Sequence, residues 1–441
     1  MLDRFQCYAA GQHLFPNGQE VLLAVSGGRD SVAMAHLCRA AGIAFAVAHC
    51  NFHLRPGECD RDQRFVERLA RRLEVPFFSV GFDTTAYASA HGQSIEQAAR
   101  ELRYQWFASL CRQHGYAAVA TAHHADDAVE TFFLNLIRGT GIAGLHGIRP
   151  VSTMHLPDGD LSVVRPMLCF SRADIDSYVR LNGIEYVDDS TNLVPEVQRN
   201  RLRLQVLPLL RQIAPAFDTV MQGNIARLSE VEQVYTAHLS QLRSRLVVPQ
   251  PSRVPGVEQA FVAISLSDID CLSPQRTLLF ELLRPYGFTA DVVDELLRAP
   301  RRQGALFLSP THEATVHSGL LVIGPKGGEE APLRYSCVVL DGVPASLRTP
   351  PTEILVDADL LHGQLSLRPW TDGDRFHPFG MKGSRLVSDF LKDMRLHRLE
   401  KRHVQLLCDA AGTPVWVVGL RADARFAVGP STRRVMRISL L

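Results

Sequence analysis

The stretch Ser26–Ser31 packs two serines, two glycines and an aspartate into six residues, directly after the apolar run 21–24. This order predicts a buried strand that ends in a small turn, with a helix starting near Asp30. Such a turn directs backbone N–H groups and the positive end of the helix dipole toward one point, which favours a bound phosphate. Glycine at positions 27 and 28 removes the Cβ atoms that would hold a phosphate away from the backbone. A glycine-rich turn that binds nothing is the alternative interpretation, because such turns are common between strands and helices.

The turn lacks the lysine of a Walker A loop. Its hydroxyls and N–H groups suit an enzyme that holds pyrophosphate as a leaving unit, and Asp30 adds a carboxylate for a magnesium ion between the phosphates. We therefore expect ATP at this turn. The residues expected to contact it are Ser26, Gly27, Gly28, Arg29, Asp30 and Ser31.

A second group of acidic and imidazole side chains follows the apolar run 117–121. His123, Asp127 and Glu130 stand at positions i, i+4 and i+7, so a helix through this segment would place them on one face. At the carboxyl end of a strand that face would look toward the turn, and Asp30 and Asp127 would share a magnesium ion. The alternative is a solvated helix start, where aspartate is favoured by the helix dipole.

Local positive charge occurs in two places, although the net charge of the chain is only +1. Arg199, Arg201 and Arg203 alternate along the chain, a spacing that we expect to spread them over different faces of a helix. Some of them would then contact a phosphate backbone or a neighbouring domain. Lys382 and Arg385 lie in a glycine-bearing stretch that predicts an exposed loop suited to phosphates.

Short apolar runs and amphipathic stretches alternate over the first 150 residues. Strands are predicted over 21–26, 43–49, 76–82 and 117–121, and helices from Asp30, Glu58, Ser94 and Ala125, with Ser94 and Gln97 as a capping pair. This alternation predicts an α/β fold with a doubly wound parallel sheet. Ligands bind at the carboxyl ends of such strands, so residues 26, 49 and 121 should converge. His49 is thus a second candidate for the nucleotide pocket, beside a purely structural role. Residues 148–161 are expected to form a loop or an irregular hairpin.

With 441 residues the chain is too long for one ordinary core. We expect a catalytic α/β domain over 1–215, a mostly helical domain over 216–325 and a small α+β domain over 333–441. Nine cysteines without a Cys-x-x-Cys pair indicate reduced thiols and a cytoplasmic protein. No signal peptide is evident, and no apolar run approaches the roughly 18 residues of a membrane span.

Several segments resemble known families. Ser26–Ser31 is similar to the pyrophosphate loop of the N-type ATP pyrophosphatases, the PP-loop enzymes with an adenine nucleotide alpha hydrolase-like fold. Nearly the whole chain resembles the tRNA(Ile)-lysidine synthetases, with one departure at Phe52-His53, where His-Gly more often follows the asparagine. The segments that carry this second resemblance are His49–Arg55, Ala120–Gly147, Asp188–Asn192, Arg199–Arg203, Trp370–Lys392 and Gly419–Arg421.

The resemblance implies ATP-dependent ligation of free L-lysine to C2 of the wobble cytidine of tRNA(Ile) with a CAU anticodon, through an adenylated cytidine. It implies ATP and Mg²⁺ as requirements, tRNA and lysine as partners, and a homodimer as a plausible assembly. Asp30 and Asp127 are then assigned to magnesium, Glu130 to the lysine ammonium, and His123 to phosphate or proton handling. The residues assigned to tRNA are Arg199, Arg201, Arg203, Lys382 and Arg385.

Two other functions compete with this one. The first is another enzyme of the PP-loop superfamily, above all a tRNA thiolase, although such thiolases commonly use paired cysteines. An amidating enzyme of the same superfamily would not need the basic C-terminal third. The second is an RNA-recognition module that binds a nucleotide but catalyses nothing. The carboxylates of Asp30, Asp127 and Glu130 argue against it, because binding alone does not require them.

Overall fold

The computed structural model describes residues 1–15, 18–54, 57–187, 198–257, 261–298, 302–327 and 333–441. The predicted features at Arg55 and Asp188–Asn192 lie outside these residues. The chain divides into two compact units, Met1–Val234 and Tyr235–Leu441, and the boundary falls within one long helix.

Unit 1 is built on a six-stranded sheet in the order β3-β2-β1-β4-β6-β5. The strands are β1 Val21–Ala24, β2 Phe45–Asn51, β3 Phe77–Gly81, β4 Val119–Ala120, β5 Val151–Leu156 and β6 Gly159–Val164. The four predicted strands are confirmed and pair in parallel. The expected irregular segment at 148–161 is instead a regular hairpin, because β6 adds to β4 in parallel and β5 returns antiparallel at the sheet edge. The sheet is therefore mixed rather than wholly parallel.

Helices cover both faces of this sheet. They are α1 Leu2–Gly11, α2 Arg29–Ala40, α3 Glu58–Leu73, α4 Thr84–His91, α5 Ile95–His114, α6 Ala125–Arg138 and α7 Arg172–Leu181. The predicted Ser94–Gln97 pair caps α5 as a capping box, with the serine accepting from the Gln97 N–H and the glutamine accepting from the Ser94 N–H. Two apolar clusters, one on each face, bury β1, β2 and β4 between them. The carboxyl ends of these strands consequently open onto one rim.

A helical segment closes unit 1. It consists of α8 Gln198–Arg201, a π-helical turn Leu202–Val206, α9 Leu207–Ile213 and the start of α10 Phe217–Leu246. Leu207, Phe217 and Met221 pack there against Val129 of α6. This packing fixes α8 and the π-helical turn beside the start of α6.

Unit 2 begins with the end of α10 and a five-stranded antiparallel sheet in the order β7-β8-β11-β10-β9. Its elements are β7 Val248–Gln250, β8 Phe261–Ser265, α11 Leu266–Asp270, α12 Gln275–Leu283, α13 Ala290–Arg298, β9 Leu306–Leu308, β10 His312–His317 and β11 Leu320–Pro325. The middle region is thus helical as expected but also carries a sheet.

The last hundred residues form small antiparallel sheets in the orders β12-β20-β13, β14-β17-β18-β19 and β15-β16. The elements are β12 Tyr335–Asp341, β13 Glu353–Asp357, β14 Ser366–Pro369, β15 Arg375–Phe376, β16 Arg385–Leu386, α14 Val387–Asp393, α15 Arg398–Lys401, β17 Gln405–Cys408, β18 Pro414–Val417, β19 Arg421–Ala422 and β20 Arg434–Leu440. Trp416, Phe376 and Phe390 are fully buried in its cores. The α+β expectation is confirmed. Among the described residues, no helix has the length and apolar character to cross a membrane.

Candidate functional site

The turn after β1 is braced on both sides. The Ser31 hydroxyl donates to the Gly28 carbonyl at 2.9 Å and lies 3.3 Å from the Ser26 hydroxyl. Val187 N–H donates to the Gly27 carbonyl at 2.9 Å, which ties the turn to the segment after α7. Gly28 caps α2 with extended backbone, so the N–H groups of the first helical turn face the rim.

A cavity of about 500 Å³ lies above this turn. Its floor is the Ser26–Ser31 turn, and one wall is formed by alternate residues of β2, Ala48 and Cys50, together with Phe52 and Arg103. The opposite wall carries His123, Asp127, Arg172, Arg199 and Arg203. The volume suits a nucleotide together with the reacting group of a second substrate.

His124, next to His123 in the chain, is buried among three aspartates. Its Nε2 is 3.4 Å from Asp127 Oδ2 and 3.9 Å from Asp30 Oδ2, and its Nδ1 is 3.7 Å from Asp126 Oδ2. Burial lowers the pKa of His124, but Asp126, Asp127 and Asp30 together raise it above its ordinary value. The imidazolium is therefore favoured among these carboxylates.

Three helix starts meet at this point. His124 is the N-cap of α6, Ala125 N–H donates to the Phe170 carbonyl before α7 at 2.8 Å, and Arg172 N–H donates to Asp126 at 2.8 Å. Asp30, in the first turn of α2, accepts from Arg172 Nη1 at 2.7 Å. Three positive helix ends aimed at one place attract anionic groups, which here are the three aspartates.

The two candidate metal-binding carboxylates differ in charge preference. Burial raises the pKa of Asp30, although Arg172 and His124 oppose this. Burial also tends to raise the pKa of Asp127, but the positive charges of His124 and Arg199 outweigh burial and hold this pKa below its usual value. Among the described residues, no cluster of three or more His, Cys, Asp or Glu side chains is arranged to hold a metal ion by itself. Two carboxylates that face one cavity fit a Mg²⁺ that arrives with phosphate oxygens, which needs only one or two protein ligands.

Glu130 is almost fully buried and binds two arginines. Arg199 Nε donates to its Oε2 at 2.7 Å and Arg203 Nε to its Oε1 at 2.6 Å. Arg199 Nη2 also donates to Asp127 at 2.9 Å. The pair of arginines thus links Glu130 to the cavity wall.

His123 carries the opposite charge preference to its neighbour. Its Nδ1 lies 2.9 Å from the Thr121 hydroxyl, and burial lowers its pKa to about 4. The side chain therefore faces the cavity as a neutral imidazole at neutral pH.

Three family models match the chain. The PP-loop domain matches residues 6–210, the TilS substrate binding domain 257–326 and the TilS substrate C-terminal domain 365–440. The tRNA(Ile)-lysidine synthase of Parabacteroides distasonis is 38% identical, with 100% of both chains covered. That of Bacteroides thetaiotaomicron is 35% identical, with 97% of both chains covered. The chain belongs to the tRNA(Ile)-lysidine synthase family. Among solved structures, it is similar to the U34-tRNA thiolase NcsA from Methanococcus maripaludis, with a TM-score of 0.41 and 14% identity over 52% of this chain and 79% of that one.

In this member of the tRNA(Ile)-lysidine synthase family, several predicted residues do line the cavity. They are Ser26, Gly28, Arg29, Asp30, Ser31, His123, Asp127, Arg199 and Arg203. The last two were expected at the tRNA; the structure places them at this cavity, and their contact with the tRNA stays a prediction. Their expected spread over separate faces was wrong for this pair, because residues four apart share a helix face. Arg201 lies between them and is exposed.

Other predicted positions differ in detail. His123 precedes α6, so the single helix face of His123, Asp127 and Glu130 does not form. His49 lies on the opposite side of β2 from Ala48 and Cys50, where its Nδ1 is 2.9 Å from the Val25 carbonyl. Burial lowers the pKa of His49, and the residue braces the turn rather than lining the cavity.

Gly27 and Arg29, which were predicted to contact ATP, also have structural roles in the turn. Gly27 does not line the cavity; it has a φ of +97°, and a Cβ there would meet Val66 at 3.3 Å. Arg29 directs its guanidinium to Asp176 and over the ring of Tyr186, at 4.8 Å from the centroid. The two contacts of Arg29 anchor the turn to α7 and to the segment after it.

The basic residues expected in unit 2 lie on its surface. Lys382 is exposed between β15 and β16, and Arg385 Nη1 is 2.7 Å from Asp393 Oδ2. Lys382 is thus the stronger candidate for a phosphate contact.

Sequence reasoning missed four residues of the site: His124, Arg172, Arg103 and Phe52. His124 adjoins a predicted residue, but only the meeting of three helices shows its role. Arg172 pairs with Asp30 across 142 positions, for which the sequence carries no signal.

Proposed function

We propose that this protein ligates L-lysine to C2 of the wobble cytidine of tRNA(Ile) with a CAU anticodon, using ATP and releasing pyrophosphate and AMP. One observation carries the proposal. In a chain with full-length similarity to tRNA(Ile)-lysidine synthases, a phosphate-binding turn and a carboxylate–arginine wall face the same cavity of about 500 Å³. Such a cavity suits a nucleotide and an acceptor held side by side.

The turn supplies the binding site for the phosphates of ATP. The N–H groups at the start of α2 are fixed in direction by the helix, so they stabilise the charge that builds on departing pyrophosphate. The Ser26 and Ser31 hydroxyls line the same cavity, and that of Ser31 reaches a phosphate by turning away from the Gly28 carbonyl. Mg²⁺, held by Asp30 and Asp127, would polarise the phosphate oxygens.

The reaction has two steps. The O2 atom of the cytosine attacks the α-phosphorus of ATP, and the bond to pyrophosphate breaks. The ε-amine of lysine then attacks C2, and AMP leaves with the former O2 oxygen. Arg199 and Arg203 place positive charge beside the cavity, which stabilises both the phosphorus centre and the departing AMP.

Lysine must attack as a neutral amine. From an unperturbed pKa near 10.4, the cost of deprotonation at pH 7 is about 4.6 kcal/mol. His123 is neutral in the cavity and is the candidate to take this proton. Glu130 already accepts three N–H groups from Arg199 and Arg203, so a lysine ammonium there would compete with these arginines. The α-carboxylate of the lysine zwitterion would pair with an arginine that Glu130 releases.

The remaining assignments concern the RNA and the setting of the reaction. Arg201 and Lys382 are exposed and suit phosphodiester contacts, whereas Arg385 must first leave Asp393. We further propose a cytoplasmic location, since all nine cysteines are free thiols, and a homodimeric assembly.

The test uses ATP, radiolabelled lysine and unmodified tRNA(Ile). We expect label in the RNA, with one AMP and one pyrophosphate per lysine, and no label when ATP is omitted. A tRNA thiolase would instead form AMP only when a sulfur donor is supplied. Free label, with AMP formed only in the presence of sulfide or ammonia, would contradict the proposed function.

A further inference from the structure

The arginines of the cavity are neutralised unequally. In the described part of the chain five arginines line it, and four of them contact a carboxylate: Arg29 with Asp176, Arg172 with Asp30, and both Arg199 and Arg203 with Glu130. An ion pair of this kind reduces the charge that an arginine offers to a ligand, since the negative charge of the carboxylate partly cancels it. Arg103 is the fifth.

Arg103 rests on an aromatic ring instead of a carboxylate. Its guanidinium carbon is 5.1 Å from the centroid of Phe52, and no carboxylate contact is seen for it within the described residues. Its charge reaches the cavity wall, because Arg103 partly offsets the burial that raises the pKa of the neighbouring Cys50 thiol to about 12. A ring face holds a guanidinium without cancelling its charge.

Phe52 is itself held in place. Its ring stacks on Phe82 with centroids 5.7 Å apart and an interplanar angle of 27°. Its carbonyl accepts from the buried Thr84 hydroxyl at 3.2 Å, and Phe82 N–H donates to the Asn51 carbonyl at 2.8 Å. The platform under Arg103 is therefore part of the β2–β3 edge of the sheet rather than a loose loop side chain.

We propose that Phe52 is a positioning residue that keeps Arg103 aimed at a phosphate group of the bound nucleotide. The other cavity arginines share their charge with a carboxylate, whereas no carboxylate offsets the charge of Arg103 within the described residues. The inference rests on the proposed function only in taking ATP as the ligand. It assigns to Phe52 the task of orienting a cation, with no contact to the reacting atoms.

The test compares Phe52→Leu, which keeps bulk without a π face, with Phe52→Tyr, which keeps the face. Binding of ATP with Mg²⁺, without RNA or lysine, is measured by calorimetry. We expect F52L to weaken ATP binding about three- to tenfold and F52Y to stay within about twofold of the wild type. The Michaelis constant for ATP should rise in F52L while that for tRNA does not. Equal melting temperatures of F52L and F52Y show that the comparison is not one of folding.

A double-mutant cycle with Arg103→Met separates positioning from simple packing. If Phe52 acts through Arg103, F52L has no further effect on ATP binding once Arg103 is methionine. The inference is overturned if the two effects multiply, or if F52L binds ATP as the wild type does. If F52L binds ATP as the wild type does, transfer of lysine to tRNA by the wild type is unaffected, so the proposed function survives. If the wild type binds no ATP, the inference and the proposed function are both contradicted.

Discussion

The adjacent histidines His123 and His124 favour opposite charge states, His123 at the cavity wall and His124 buried among aspartates. Desolvation dominates at His123, so its pKa falls to about 4, whereas the aspartates around His124 outweigh burial and raise its pKa. These two pKa shifts change the stability of the fold with pH in different ways. His123 opposes folding as the pH falls from about 6.5 toward 4, since only the unfolded chain takes up that proton. The contribution of His124 is complete below its unfolded pKa and is lost as the pH rises through its folded value.

This difference predicts two separate titrations. In NMR spectra of the protein with labelled histidines, the His123 imidazole should stay neutral down to about pH 5, while His124 should titrate above 6.5. His123→Gln and His124→Gln identify the two signals. A His123 signal that titrates near 6.5 would contradict the lowering of its pKa by burial.

The two glycines of the turn have different reasons to be glycine. Gly28 has a φ of −72°, and an added Cβ would meet nothing closer than 3.5 Å, whereas Gly27 has a φ of +97° and little room. We expect Gly28→Ala to keep the melting temperature and to weaken ATP binding at least tenfold, because the methyl group takes the place of a phosphate. Gly27→Ala should lose about 1–2 kcal/mol of stability. Thermal melts measure the stability of both variants, and calorimetry measures their affinity for ATP. Unchanged ATP affinity in G28A would argue against phosphates at this turn.

At the scale of elements, α8 and the π-helical turn bring Arg199 and Arg203 to one face and leave Arg201 on the other. Arg203→Met should cost about 2 kcal/mol of stability, since it removes charged hydrogen bonds to the buried Glu130. Arg201→Met is the matched control and should leave stability unchanged. Urea unfolding followed by circular dichroism measures both changes; equal effects would mean that the inward pairing is not what holds this segment.

Arg201→Met also tests the RNA contact. If its guanidinium meets a phosphodiester, the slope of log K against log salt for tRNA binding should fall in magnitude by about 1. An unchanged slope would remove Arg201 from the RNA surface.

The parallel strands and their order along the chain were predictable because each rests on a local apolar run between turn signals. The Ser26–Ser31 turn was predictable for the same reason. The partners of Asp30, Asp127 and Glu130 were not, because each pairs with an arginine at least 69 positions away. The start of α6 at Ala125 was predicted, but the single helix face was not compatible with it, because His123 precedes the helix.

At the scale of the whole molecule, the residues of the candidate site belong to unit 1, and exposed Lys382 belongs to unit 2. Lys382→Ala should weaken tRNA binding a few-fold and reduce its salt dependence, because one phosphate contact is lost. ATP binding without RNA should be unchanged in this variant. Filter binding at several salt concentrations, beside calorimetry with ATP, checks both; a loss of ATP affinity would mean that unit 2 acts on the nucleotide site.

The central claim is that ATP activates a tRNA base for attack by lysine. The most direct measurement is mass spectrometry of nucleosides from tRNA(Ile) incubated with the protein, ATP and lysine. The account predicts that one cytidine, at the wobble position, gains the mass of one lysine less one water, and that it stays unmodified when lysine or ATP is withheld. A wobble cytidine of unchanged mass in the complete reaction, or one that carries sulfur, would contradict the account.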